Sequence, residues 1–215
     1  MHNPLTPPPP PRKGDLLFRD DLQDSQNNAY LNPPWGDEQV GYTEGYRRGA
    51  RLLVEHIVTR QCDKDFLVYP IIFLYRHHIE LVLKNIMMRA PCLLNRPFTA
   101  AEEQDLGKHR LDLLWRDLKP IFADICEAAG WSALDQATLE GIDDYIGQLT
   151  ALDPDSYSAR YPRSKKGERL LPPDVKQINL RHFAGTIERL IDYLDTLDQA
   201  SSAFEEVKSE HMDQS

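Results

Sequence analysis

Cysteine is scarce in this sequence and odd in number. Cys62, Cys92 and Cys126 are the only three in 215 residues, and they are widely spaced. That set does not make a disulfide framework; it fits reduced thiols in a cytoplasm. A membrane span is not expected either, because the charges from Arg76 to Lys84 interrupt the most apolar stretch before it reaches about 18 uncharged residues. The proline tract within Met1 to Gly14 lacks the apolar core of a secretory signal. C-x-x-C and H-E-x-x-H spacings are missing, and His77 and His78, as helix neighbours, do not share one metal, so neither metal nor cofactor is expected. The absence of a G-x-G-x-x-G or P-loop motif argues against nucleoside triphosphate hydrolysis, and that of G-x-S-x-G against a nucleophile elbow. There is no internal repeat, and no period-two alternation reaches five residues. The balance of 25 basic against 34 acidic residues gives a net charge of −9. The protein as a whole would repel nucleic acid, so an RNA contact needs a local basic patch.

What is present is helical periodicity. Pro7 to Pro11 reads as a polyproline II arm, and residues 15–36 as irregular, with an Asn32-Pro-Pro-Trp35 turn. Residues 1–37 are therefore expected to be a disordered or irregular arm. From Glu38 the apolar residues Val40, Ala50, Leu53, Val54 and Ile57 recur at three- and four-residue steps. A central helix is predicted over Phe66–Met88, with Pro70 in its first turn or just before it. Thr99-Ala-Ala-Glu102 is a capping-box signature opening a short helix. Another helix begins near Leu111 and ends at Gly130. Ser132-Ala-Leu-Asp135 marks the next helix start, and Asp174-Val-Lys-Gln177 caps a last long helix that runs to about residue 198. The tail over 199–215 is polar and expected to fray. The fold class is all-α: an antiparallel helical bundle of about five helices, with a long basic loop before the last of them.

Two segments carry chemistry. The central helix is apolar on nearly every side, so it belongs in the middle of the fold. Yet it holds Arg76, His77, His78, Glu80 and Lys84. Arg76, Glu80 and Lys84 stand at i, i+4 and i+8 and share one face, with His77 flanking it. Buried charges are costly unless paired and become functional where they face a cleft. One reading is a salt-bridge ladder tying the helix to its neighbours; the other is a ligand-facing or catalytic row. In either case Glu80 is expected to pair with Lys84 or with Arg160. The second segment, Asp153 to Pro173, is about twenty residues long, beyond ordinary connections in compact bundles. It holds Arg160, Arg163, Lys165, Lys166 and Arg169 against the single acid Glu168, interleaved with Tyr157 and Tyr161. A phosphate backbone would land there, with tyrosines for base stacking. The alternative is a solvated loop whose cations pair with the protein's own carboxylates.

The run Tyr75-Arg76-His77 to Glu80-Leu81-Val82-Leu83-Lys84 resembles the E-L-x-L-K helix of HEPN proteins (higher eukaryotes and prokaryotes nucleotide-binding domain). His109-Arg110-Leu111 to Leu114-Trp115 is similar to the H-x-L-x-x-L-W element of some bacterial members. Ala159-Arg160-Tyr161-Pro162, ahead of Lys166-Gly167 and a long helix, resembles their R-Y-P element. The resemblance covers roughly residues 38–198. It implies an antiparallel helical bundle, often a homodimer, in toxin–antitoxin, abortive-infection or phage-defence systems, with an antitoxin or other defence protein as partner. It also implies a metal-independent endoribonuclease in which arginine and histidine assist attack of the RNA 2′-hydroxyl on the adjacent phosphate. The family's R-x(4–6)-H dyad near the start of the last helix is not matched. That region reads Arg181-His182, and adjacent helical residues point about 100° apart. The spacing occurs only at Arg51 to His56, on the first helix. A relocated site would use His77 or His109 as acid or base, with Arg76 and Arg160 on the phosphate. Glu80, Lys84, Tyr161, Arg163, Lys165 and Lys166 would complete the binding surface. The rival expectation is a non-catalytic HEPN-like dimerisation or interaction module.

Overall fold

The computed structural model describes residues 12–14, 16–31 and 38–213; the Pro7–Pro11 arm and the Asn32–Trp35 turn lie outside them. Before the bundle, a single 3-10 turn, Ser25–Asn27, is flanked by Asp24, whose carboxylate accepts from the Asn27 side-chain Nδ2 at 2.8 Å. From Glu38 onward the described residues contain six α-helices: α1 (Glu38–Arg60), α2 (Lys64–Leu94), α3 (Ala100–Leu106), α4 (Leu111–Ala129), α5 (Gln136–Leu152) and α6 (Leu180–Asp213). Helices pack on helices and no strand occurs among the described residues, so the chain is an all-α helical bundle.

α2 is the axis of the fold. It packs most extensively on α4 and α6 and buries Ile71, Tyr75, Ile79, Leu83, Ile86 and Met87 almost completely. Each such side chain contributes about 1.5–3 kcal/mol by leaving water. The helix is longer at both ends than its apolar period predicts. At the front, the Asp63 carbonyl accepts from the Phe66 and Leu67 amides at 3.0 and 2.8 Å, so the helix starts two residues earlier and Pro70 falls inside it. At the back, Asn95 adopts the left-handed conformation that closes a helix, and its N–H donates to the Pro91 carbonyl. By length and composition α2, with its charges included, is also apolar enough to cross a membrane, but half of that window is buried within the fold, as in a core helix.

The caps follow their sequence signals in two of three cases. Thr99 and Glu102 form the reciprocal capping box, and the Asp135 carboxylate accepts from the Thr138 amide at 2.9 Å. The last helix differs. Asp174 to Gln177 stay in the preceding connection, and Asn179 takes the cap, its Oδ1 accepting from the His182 N–H at 3.0 Å. Asn179→Ala is therefore expected to cost about 1 kcal/mol in a urea melt, whereas Asp174→Ala should shift stability by less than about 0.5 kcal/mol. Nor does α6 fray at Ser201. Ser201 is fully buried, Phe204 packs on Trp131, Arg89 pairs with Asp198 and Glu205, and Lys208 Nζ donates to the Leu93 carbonyl at 2.6 Å. A polar composition hid these anchors, because each of them is made to another helix or to the chain just beyond one.

Directions within the bundle follow from these pairs. α1 lies antiparallel to α2, with Thr43 against His78 and Gly49 against Leu74. α5 and α6 are antiparallel, with Tyr145 bonded to Arg189 and Thr138 to Tyr193. α2 and α6 run in the same direction: Tyr75 meets Phe183, His78 meets Asp195, and Leu93 meets Lys208. Residues 153–179 form the long crossover that makes this possible.

Candidate functional site

The charged face of α2 is organised around Glu80, which is 1% exposed. Its carboxylate accepts from Arg76 Nη1 at 3.1 Å, Lys84 Nζ at 3.0 Å and His109 Nδ1 at 2.7 Å, with His77 Nδ1 at 3.9 Å. The first two partners are the i, i+4 neighbours that helical spacing requires. The third comes from the α3–α4 connection. Of the two expected partners Glu80 takes Lys84 and not Arg160. Burial opposes ionisation of this carboxyl, but His77, His109 and Lys84 outweigh it and hold the group well below the usual glutamate range.

Arg76 is as buried as Glu80, and its donors are used internally. Nε donates to the Asp153 carbonyl at 3.2 Å, and Nη2 to the carbonyls of His109 and Pro154. Asp153 supplies a second carboxylate, with Oδ2 at 4.0 Å from Arg76 Nε. Arg76 thus locks the end of the α3–α4 connection and the start of the long crossover onto α2, and it has no access to a phosphate. The expectation that it grips a ligand is corrected on that ground.

His77 and Arg160 belong to an aromatic stack beside this hub. The His77 ring lies parallel to Phe73 at 5.5 Å and edge-on to Tyr46 at 4.4 Å. The Arg160 guanidinium covers Phe73, Tyr157 and Tyr161 at 5.4, 4.9 and 5.9 Å, a cation–π arrangement, while its Nε donates to the Ser156 carbonyl at 2.6 Å. His109, unlike Arg76, is open: its side chain is 54% exposed. It lines a shallow pocket of about 360 Å³ with Lys108, Arg110, Leu113, Asp155 and Tyr157. Tyr157 joins this pocket to the Arg160 stack. Lys108 and Arg110 were not singled out by sequence reasoning, although they flank the histidine directly. Both cations are partly exposed and paired, Lys108 with the buried Asp105 and Arg110 with the half-buried Asp112. The Arg110 pair, the more exposed of the two, is worth about 0–1 kcal/mol and exchanges readily for a phosphate.

The basic loop stands apart as a small hairpin. Arg163 bridges to Arg169, the Ser164 N–H donates to the Glu168 carbonyl at 2.8 Å, and Gly167 adopts the positive φ of 83° that the turn needs. Arg163 Nη1 donates to the Gly167 carbonyl at 2.7 Å, and Lys165 and Lys166 are exposed.

A second polar network went unread in the sequence. Arg47 and Arg51 on α1 meet Glu188, Asp192 and Asp195 on α6, and His78 touches the Thr43 carbonyl and Asp195. The signal was there as two complementary stripes, basic at i, i+4 on one helix and acidic at i, i+4, i+7 on the other. It also accounts for the Arg51 to His56 spacing: Arg51 is held by Glu188, and His56 by Asp63.

Arg181 lines a larger cavity of about 710 Å³ at the α1–α2 turn, away from the Glu80 hub. No protein-family model, no curated protein and no solved structure matches the chain.

Proposed function

We propose that the chain is a HEPN-like effector that binds RNA and cleaves it without a divalent metal, with His109 as the proton-transfer group. One observation carries this reading. A buried carboxylate, Glu80, holds Nδ1 of a half-exposed histidine at 2.7 Å, which leaves Nε2 to face a ligand. A carboxylate in that position fixes the tautomer and orientation of an imidazole acting as base. Nε2 would take the proton of the RNA 2′-hydroxyl as it attacks the adjacent phosphate. Lys108, Arg110 and Arg160 would hold the charge on that phosphate, and Tyr157 and Tyr161 would stack bases. The HEPN-like motifs that support this reading bring a homodimer, a cytoplasmic setting and an antitoxin or other defence-system partner into the same proposal.

The second reading, a non-catalytic HEPN-like interaction module, is favoured by the internal use of Arg76 and by the adjacent Arg181-His182. RNA cleavage by the purified chain at neutral pH in EDTA separates the two. Activity that persists in EDTA supports the first; no cleavage and no RNA binding leaves the second. The hairpin makes its own demand. Charge reversal at Arg163, Lys165 and Lys166 should weaken RNA binding and lower the salt slope of log K by about 0.7 for each single-strand phosphate that it ceases to neutralise. An unchanged slope would remove the hairpin from the RNA surface.

A further inference from the structure

At the α1–α2 turn, three side chains of different chemistry converge on one point. His56 Nε2 lies 3.0 Å from Asp63 Oδ2, Cys62 Sγ lies 3.1 Å from the same oxygen, and Sγ and Nε2 are 3.7 Å apart. His56 is in the last turns of α1, and the other two residues are in the three-residue connection to α2. The turn is held on both sides. The Gln61 N–H donates to the Ile57 carbonyl at 2.9 Å, and the Asp63 carbonyl opens α2. Gln61 and Asp63 both adopt left-handed backbone conformations, φ 57° and 61°, which non-glycine residues seldom do. Together they fold Cys62 and Asp63 back onto the His56 ring.

Two chemistries use cysteine, histidine and aspartate together. A nucleophilic triad needs the two ring nitrogens to do different jobs, one toward sulfur and one toward the carboxylate. Here the same nitrogen, Nε2, addresses both partners, so there is no relay. A cation needs the opposite arrangement, three donor atoms around a common centre. Tetrahedral zinc, with bonds of about 2.0–2.1 Å to nitrogen or oxygen and about 2.3 Å to sulfur, places its donors roughly 3.3–3.6 Å apart. The three separations in this turn fall within about half an ångström of that triangle.

We infer that His56, Cys62 and Asp63 form a binding site for a zinc-class divalent cation. Sulfur and imidazole donors select such ions over magnesium or calcium. On binding, the cation loses water ligands, and the Cys62 thiol releases its proton to solvent as the metal–sulfur bond forms. His56 donates through the Nε2 lone pair, its own proton residing on Nδ1. One thiolate and one carboxylate then neutralise the dication. The fourth position stays with water, and the site pins the α1–α2 turn. It is distinct from the His109 pocket: along α2, Glu80, which holds His109, lies about 24 Å beyond Lys64 at the helical rise per residue. Its role is therefore structural, and RNA cleavage does not route through it.

Cobalt(II) titration of the full, reduced chain tests the site. The expected result is a near-ultraviolet thiolate charge-transfer band and visible bands of a tetrahedral ion, saturating at one equivalent and abolished by added zinc. Cys62→Ser should remove the charge-transfer band, and His56→Gln and Asp63→Asn should each weaken binding by at least about tenfold. All three positions are exposed, and circular dichroism of each variant checks that the helices persist. A chain that shows no such band, or a band that survives Cys62→Ser, overturns the site. Because the readout is spectroscopic, it stands or falls separately from cleavage in EDTA.

Discussion

His109→Ala should lower RNA cleavage by a factor of about 10²–10⁴, the range for loss of a general acid or base, with little effect on folding. The ring is half exposed and contributes one bond to Glu80, so the carboxylate keeps Arg76 and Lys84 after its removal. His77→Ala should behave differently. Its ring is packed between Phe73 and Tyr46 and is 21% exposed, so the variant should lose stability and retain much of the chemistry. Melting temperature and single-turnover cleavage measured on both variants separate these outcomes. Equal activity of His109→Ala and the parent chain would end the catalytic reading of the pocket. The cleavage itself should survive EDTA, and restoration by Mg²⁺ after EDTA inhibition would place the chemistry on a metal instead.

Glu80→Ala should be strongly destabilising, by about 3–5 kcal/mol, because it strands a buried Arg76 without its carboxylate. Arg76→Ala should match it, leaving Glu80 without its buried partner and freeing the carbonyls of His109, Asp153 and Pro154. Urea melts at neutral pH measure both. A midpoint within error of the parent chain for Glu80→Ala would mean that the Arg76 network is sustained by Asp153 alone. The pH dependence has a definite sign. The folded carboxyl ionises below the ordinary glutamate value of 4.5. The unfolded chain therefore binds the proton more readily, and stability rises with pH in this range. The contribution is fully present above about 4.5 and is lost as pH falls through the folded value. Acid unfolding of the parent chain should be steeper than that of a Glu80→Gln variant, which cannot titrate at that position.

Much of the molecule was legible from local pattern. Thr99 and Asp135 capped their helices because a cap needs only a side-chain oxygen and an amide three residues on. The Glu80–Lys84 pair followed from i, i+4 spacing in the same way. Asn179 was missed in favour of Asp174 because the two signals are of similar strength, and the crossover decides where the chain first turns toward the bundle. The C-terminal third of α6 was misread because polar residues such as Ser201 and Lys208 are stabilised there by packing and hydrogen bonds within the bundle, not by an apolar face.

By itself, the sequence determined the helical class, the placement of α2 at the centre and the need for Glu80 to be paired. Those properties rest on periodicity and on the cost of an unpaired buried charge, both of which act over a few residues. Only the tertiary structure decided that α6 runs alongside α2 in the same direction, that Arg47 meets acids 141 to 148 residues away, and that His109, not Arg76, reaches solvent. Each depends on the register between helices joined by long connections. Helical spacing tells which residues share a face, but packing alone selects the face opposite.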